Sequence, residues 1–453
     1  MNKIFGLLAL LCCTISLHAQ MQNSTTAAPA HPERLIYTLQ DCLRRGLESN
    51  LQLQVTRNDE QAAHNNATLA NAGALPTLDA TAGYRPSFTA SDNYKVKATG
   101  EKGSNNSAFD YGLNAGATLN WTLFDGFKIQ TNYRQLRLLE QRGETDTRIA
   151  AEDLIANIAS EYYNYIQQII RRAHYRYALR LSRERLRISE LNYQTGRFSG
   201  LDYHLAKVDF NADSAQYVKQ QQQVRNSLIK LNQLMSNQNI TQWINVPDSS
   251  IIVRDDLQLE PLWQQTLDAN SSLLRATQNT QYAELDYKKV LSRNYPYLKL
   301  NAQYAYNFNH YGNSTYETRD NQTINGGLTV GINIFDGNRR RERRNAQLTI
   351  ENRKLQRQQL EIDLHANLTT FWQAYRNNLQ LLALQQQNLE IAEGNLEIAM
   401  ERYKLGEISG FDMRQVQKSL LDAEERVLQV QYDAKVCEIS LLLISGNIGY
   451  YLE

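Results

Sequence analysis

The residues able to do chemistry in this 453-residue chain are scattered, and their spacing argues against catalysis. Seven histidines stand at 18, 31, 64, 174, 204, 310 and 365, with no His-x-x-x-His pair to offer two imidazoles to one metal. No glycine-rich phosphate loop precedes a helix, and no Gly-x-Ser-x-Gly elbow occurs. Catalytic, cofactor-binding and metal-binding residues are therefore not assigned. What recurs is a turn-making set: "QTGRFSGLD" at 194–202 and "KLGEISGFD" at 404–412, set 210 positions apart in helix-rich sequence. Gly196 and Gly200, like Gly406 and Gly410, can take φ > 0 and let a helix end. Ser199 and Ser409 can accept backbone N–H groups at the turn. Asp202 and Asp412 start the returning helix, where a carboxylate caps free N–H groups and meets the positive dipole end.

Such turns need long helices to carry them. The seven prolines fall at 29, 32, 76, 86, 247, 261 and 296, leaving 87–246 and everything after 296 free of helix breakers. Ile155, Ile158, Tyr162, Ile166, Ile169, Ala173 and Tyr177 recur at steps of three and four, an amphipathic face. The pattern predicts a long helix over 127–194, about 100 Å at 1.5 Å per residue. A shorter helix follows at 202–235, and another precedes at 38–72, opened by Thr38 with Asp41 three residues on. The two short helices together match the long one in length.

The order repeats. Asn50 matches Asn270 and "ALPTLDATAGY" (74–84) matches "NYPYLKLNAQY" (294–304), both at offset 220. "LFDGF" (123–127) matches "IFDGN" (334–338) at offset 211. The reading is a tandem duplication: a first repeat over 35–235, a connector at 236–256, a second repeat over 257–446 and an end at 447–453. The second repeat has helices at 259–292, 338–404 and 412–444 around its tip at 404–412. The main length difference falls in the polar stretch 91–110, expected to be a loop.

Strands show by alternation. Leu113, Ala115, Ala117, Leu119, Trp121 and Leu123 share one face, and Leu298, Leu300, Ala302, Tyr304, Tyr306 and Phe308 another. Four strands are predicted, at 78–89, 111–123, 298–309 and 322–335. Their length suits a tilted crossing of a bilayer. Four strands cannot close a barrel and lipid tolerates no open edge, so several chains would share one barrel. A soluble four-stranded sheet on helices is the alternative, but its opposite face is strongly polar and the helices outrun any such sheet.

Net charge is 48 − 47 = +1 and gives no argument for nucleic acid. No run of about 20 apolar residues follows the N-terminus to make a transmembrane helix. Lys3, the apolar stretch Ile4 to Leu17 and "LHA" before Gln20 read as a secretory signal over 1–19, followed by a linker at 20–34. A lipid anchor at Cys12 or Cys13 is the less favoured reading. Cys42 and Cys437 read as small buried side chains, since two lone cysteines argue for no disulfide.

Signal peptide, Leu-Pro before the first strand, Phe-Asp-Gly after the second and Tyr-x-x-Gly-x-x-Ser-Gly-x-Asp at the tip, all duplicated, resemble the TolC-type outer-membrane efflux proteins over nearly the whole mature chain. The resemblance implies an α+β membrane protein. Three chains would each give four strands to a twelve-stranded outer-membrane β-barrel, continued by a periplasmic α-barrel of long antiparallel helices. Such a homotrimer would be the passive exit duct for drugs, metals or other small molecules in a tripartite efflux or type I secretion system. Its partners would be a periplasmic adaptor, an inner-membrane pump and outer-membrane lipid. The rivals are a structural or adhesive envelope coiled-coil trimer without a channel and an enzyme on a helical scaffold.

The resemblance also implies roles at the tips. Tyr193, Gly196, Ser199, Gly200, Tyr403, Gly406, Ser409 and Gly410 would meet the adaptor. Asp412, with Asp202 second to it, would line the periplasmic entrance, where three copies form a cation-binding ring. The family's second entrance aspartate aligns with Gln415 and its basic locking residue with Ile408, so Arg197 or Arg414 is expected to pair with an acidic tip residue. Phe124, Asp125 and Gly126, and Phe335, Asp336 and Gly337, form the strand-to-helix turns. The five arginines in "NRRRERRNAQ" (338–347) read either as a solvated face softened by Glu342 or as a contact with anionic headgroups.

Overall fold

The computed structural model describes residues 36–90, 92–95, 98–105, 108–197, 199–248, 250–312, 314 and 316–452. The expected signal and linker, with Cys12, Cys13, His18 and His31, lie outside them. Helices α1 (Leu39–Ser49) and α2 (Leu51–Asn66) lead into β1 (Thr77–Thr89), β2 (Asp92–Lys95), β3 (Lys102–Asn105) and β4 (Ala108–Asp125). Then come α3 (Lys128–Gln194) and α4 (Gly200–Leu234). After an irregular connector follow α5 (Leu259–Ala269), α6 (Ser271–Ser292), β5 (Tyr297–His310), β6 (Thr318–Gly331), α7 (Arg339–Leu405), α8 (Gly410–Ile444) and a 3₁₀ turn at Ile448–Leu452. The fold is helix-rich α+β. No helix among the described residues is long and apolar enough to cross a membrane.

Four elements differ from the sequence reading. The helices expected unbroken over 38–72 and 259–292 are each two. Asn50 and Asn270 leave the helical region at ψ 119 and 118, and their side chains accept the N–H of Leu53 and Leu273, restarting the helix. Each Nδ2 also donates to the end of a returning helix, Leu234 O and Ile444 O, both at 2.9 Å. α2 stops at Asn66, whose carbonyl takes the Asn71 side chain. The strand expected over 322–335 runs Thr318–Gly331: its partner β5 starts at Tyr297, opposite Gly331, so residues 332–336 have nothing to pair with in one chain. The stretch 91–110, expected as loop, contains the β2–β3 ribbon and the start of β4, with Gly100 at φ +74 in the ribbon's turn.

The large sheet is antiparallel throughout, in the order β1-β4-β5-β6. Its register puts Leu119 opposite Ala302, Ala117 opposite Tyr304 and Leu113 opposite Phe308, so the apolar faces of the strands merge into one. Asn120 opposite Asn301 and Thr118 opposite Gln303 do the same for the polar face. Aromatic rings collect at the far end of the apolar face, where Tyr111 stacks on His310 at 4.9 Å. More stand at the helix end, where Phe127 meets Phe124 and Tyr295 edge to face.

Beyond the sheet, α3 has helices on both sides: α2 and α6 in the half near the sheet, α4 and α8 in the half near the tips. α7 packs mainly against α6 and α8, with α5 beside its middle and α3 against its tip end at Tyr403. The main core surrounds the middle of α3, where Ile158, Tyr162, Tyr165 and Ile166 meet Leu43, Val224, Leu231 and Ile244. Each such side chain contributes about 1.5–3 kcal/mol by leaving water. Tyr165 donates to Ile244 O at 2.8 Å and so fixes the connector. The Glu438 carboxylate, fully buried, is satisfied by Lys435 (2.7 Å), Tyr451 OH (2.8 Å) and Arg254 N–H (3.0 Å). Cys42 and Cys437 are buried free thiols, and burial pushes Cys42 up to about 12.

Candidate functional site at the hairpin tips

At the first tip, α3 closes with the N–H of Gly196 on Tyr193 O (3.0 Å) and that of Arg197 on Asn192 O (2.7 Å). At the second, α7 closes with Gly406 on Tyr403 O (3.1 Å) and Glu407 on Arg402 O (2.9 Å). Both are the paired closing bonds that need a left-handed residue, supplied by Gly196 at φ +74 and Gly406 at φ +81. Gly200 and Gly410 do not take that conformation; they are the first residues of α4 and α8. One left-handed residue completes each closure, so a second is not required.

The returning helices begin with reciprocal caps. Ser199 Oγ donates to Asp202 Oδ2 at 2.7 Å and accepts the Asp202 N–H at 3.3 Å. Ser409 Oγ and Asp412 repeat this at 2.7 and 3.1 Å. Each carboxylate also accepts the N–H of its cap residue. Asp412 is exposed, and Asp202 is half-buried. Asp412 borders a groove of about 750 Å³ between α7 and α8, with Ile391, Ile398, Arg402 and Val416 among its walls.

The tip tyrosines differ. Tyr193 is 49% exposed and lies flat on Tyr203, ring centroids 5.8 Å apart. Tyr403 is fully buried, its hydroxyl 3.0 Å from Ser189 Oγ on α3, and burial raises its pKa.

Arg414 does not reach a tip carboxylate. Its guanidinium is bidentate on Asp213 of α4, at 2.6 and 2.9 Å, with Asp209 at 3.7 Å. Those acids stand two and three turns into α4, where α8 comes alongside α3 and α4. Ser182 also bonds Asp213, Arg185 (2% exposed) pairs with Asp209 at 2.5 Å, and Gln417 reaches Ser182 at 2.8 Å. Among the described residues, Arg197 forms no ion pair. Sequence reasoning missed Asp209, Asp213, Arg185, Ser182 and Gln417: Arg414 and Gln417 meet partners more than 200 positions away, and Arg185 and Ser182 meet theirs across the α3–α4 hairpin, 24 and 31 positions on, so no local spacing marks them. It also missed Glu424 on α8, whose pKa is raised to about 7 by burial and then by Glu393 and Glu425. Its neighbour His174 lies 3.9 Å away, and Arg171 pairs with Glu425 at 2.6 Å.

The strand-to-helix turns are likewise unequal. Asp125 Oδ1 accepts the N–H of Ile129 at 3.0 Å, and both Gly126 (φ +70) and Phe127 (φ +69) are left-handed. A Cβ on Gly126 would strike Ser292 O. In the second turn Asp336 accepts the Asn338 N–H at 2.9 Å and pairs with Arg293 at 2.6 Å, while Phe335 is exposed and Gly337 has open space around it. Among the described residues no group of three His, Cys, Asp or Glu is placed to hold a metal ion.

The architecture is shared with solved structures. A membrane protein from Pseudomonas aeruginosa superposes with TM-score 0.74 at 16% identity, covering 90% of each chain. The outer membrane channel CmeC of Campylobacter jejuni gives 0.73 at 17%, covering 90% of this chain and 85% of that one. The outer membrane protein VceC of Vibrio cholerae gives 0.71 at 16%, covering 90% and 96%. At such identities the likeness is one of fold. Among curated proteins no sequence match is found. The sequence profile of outer membrane efflux proteins matches residues 43–237 and 262–447, most of the chain. The chain belongs to the outer membrane efflux protein family and resides in the outer membrane, extending into the periplasm.

Proposed function

We propose that three copies of this chain close one β-barrel and one helical tunnel, the passive outer-membrane exit duct of a tripartite efflux system. One observation carries the reading: both layers are open at matching ends. β1 and β6 are unpaired sheet edges. On the β6 side, α7 exposes Leu348, Leu355 and Ile362, then Leu384, Ile391, Ile398 and Leu405, two stripes at steps of seven. On the β1 side, α4 exposes Leu201, Leu205, Val208 and Val218. A seven-step apolar stripe is a seam that awaits a partner helix, and an open edge in lipid awaits a partner strand. A head-to-tail contact joins β6 and α7 of one copy to β1, α2 and α4 of the next, and rotation closes the ring. The halves of each chain, alike in element order, act as tandem repeats, so three chains present six tips around one aperture.

In this reading the tips form the periplasmic entrance. Asp412, exposed at the rim, contributes to a ring of three carboxylates, with Asp202 the lesser contributor. The exposed tip residues receive a periplasmic adaptor that links the duct to an inner-membrane pump. The cargo is drugs, metals or other small molecules rather than secreted protein. The purified protein should run as a trimer and conduct in planar bilayers, and Asp412→Ala should lose divalent-cation block. A monomer, or a trimer without conductance, would overturn the duct; unchanged block would overturn the ring alone.

A further inference from the structure

The basic run that opens α7 is not explained by the fold around it. Arg339, Arg340, Arg341, Arg343 and Arg344 fall within two turns, against one acid, Glu342. Arginines at a helix N-terminus oppose the helix dipole and repel one another, so α7 gains nothing from them locally. The stretch at the start of α3, Lys128 to Arg134, has only those two basic residues. Nearby acids are already engaged: Arg293, just past the end of α6, pairs with both Asp336 and Glu342. Arg339 is turned back onto Asn333 O, and Arg343 reaches Tyr287 OH at 3.3 Å. Arg340, Arg341 and Arg344 are exposed and form no ion pair among the described residues.

Their position supplies the missing partner. The last sheet pair is Tyr297 opposite Gly331, and the chain then runs through Ile334 and Phe335, 90% and 86% exposed, straight into the arginines. At 1.5 Å per residue the run stays within about 8 Å of the helix start. An apolar band, a pair of exposed large apolar side chains and then unpaired guanidinium groups is the profile of the edge of a bilayer. Guanidinium forks match phosphate oxygens two by two.

We propose that Arg340, Arg341 and Arg344 bind the phosphate groups of anionic phospholipids in the periplasm-facing leaflet, anchoring the barrel's depth on the β6 side of each subunit. The inference rests on the sheet being the membrane-spanning part. The full chain would be reconstituted in nanodiscs of phosphatidylcholine mixed with phosphatidylglycerol, and retained lipid read by native mass spectrometry. Wild type should enrich phosphatidylglycerol, by about fivefold for each arginine engaged. The triple Arg340→Gln, Arg341→Gln, Arg344→Gln variant should lose that enrichment, and the triple lysine variant should keep most of it. Competing inorganic phosphate should not displace the lipid; displacement would assign the site to free phosphate and overturn the proposal. Equal enrichment in wild type and the glutamine variant would also overturn it. So would a glutamine variant that falls to monomers in detergent, which would assign the arginines to the subunit contact. Failure of wild type to enter any bilayer would instead sink the membrane reading beneath it.

Discussion

Between the first tip and the second, the backbone bonds can be exchanged one for one. Each has the same two closing N–H bonds, a left-handed glycine and a Ser–Asp cap on the helix that follows. The side chains behind the turns cannot be exchanged. Tyr193 faces solvent on Tyr203, whereas Tyr403, 210 positions later, is sealed against Ser189. Position 204 is an exposed histidine, and its counterpart Arg414 grips Asp213. Position 214 is a serine bonded to its own helix, and its counterpart Glu424 is a half-buried acid. Local sequence therefore sets the turn, while the neighbours of each hairpin set its tertiary role. α8 packs on α3 within one chain, and α4 is left with a bare outer face.

The widest gap should open at the tyrosines. Tyr403→Ala removes a fully buried ring and strands Ser189, at a cost of about 3–5 kcal/mol. Tyr193→Ala gives up one stacked contact and should cost about 1 kcal/mol or less. Urea unfolding of both variants, with hydrogen exchange at the first turns of α4 and α8, measures the difference. Equal costs would mean that the two tips share one environment.

Glu424 against Ser214 comes next, and it depends on pH. The folded pKa of Glu424, about 7, lies above the ordinary 4.5, so the folded chain keeps this proton longer than the unfolded one. Burial of the charge costs stability above pH 7, on the order of 3 kcal/mol, and the cost fades as pH falls toward 4.5. Glu393, Glu425, Arg171 and His174 face the same pocket. His174, with its pKa lowered by burial and Arg171, acts in the opposite sense in acid, so the variant-minus-wild-type difference is the useful measurement. Glu424→Gln should be more stable than wild type at about pH 8 and equal to it near pH 4, while Ser214→Ala should show no such trend. Parallel pH profiles for Glu424→Gln and wild type would rule out a half-buried acid there.

Arg414→Ala should follow at about 1.5 kcal/mol, for the loss of a half-buried bidentate pair that leaves Asp213 to Ser182 alone. His204→Ala should stay within about 0.5 kcal/mol. Faster exchange in the first half of α8, with α4 unaffected, is the expected signature.

What could be read from the sequence follows the same division. Helices of 67 residues and the tips that end them are written in residue types: proline-free stretches, glycine, then serine with aspartate three on. The breaks at Asn50 and Asn270 are written there too, since asparagine caps helices, but no proline marks either one. The β6 end could not be read, because Ile332 and Ile334 keep the alternation after β5 has run out. The β2–β3 ribbon is polar along its length and offers no apolar period. The Arg414–Asp213 pair joins residues 201 apart and exists only once α8 lies beside α4.

The smallest expected difference between the tips is at their glycines, and there it should vanish. Gly196 and Gly406 sit at φ +74 and +81, and a Cβ built on either would meet nothing within 4 Å. Alanine at either site is therefore penalised for its backbone alone, about 1 kcal/mol for a left-handed non-glycine residue. The double variant should lose about twice that, since the sites share no contact and their costs should add. A matching pair of costs from sites whose neighbouring tyrosines differ by several kcal/mol would separate the two layers experimentally. If Gly406→Ala proved much the costlier, the turn itself would be coupled to the buried Tyr403, and the second tip would move as one piece with α3.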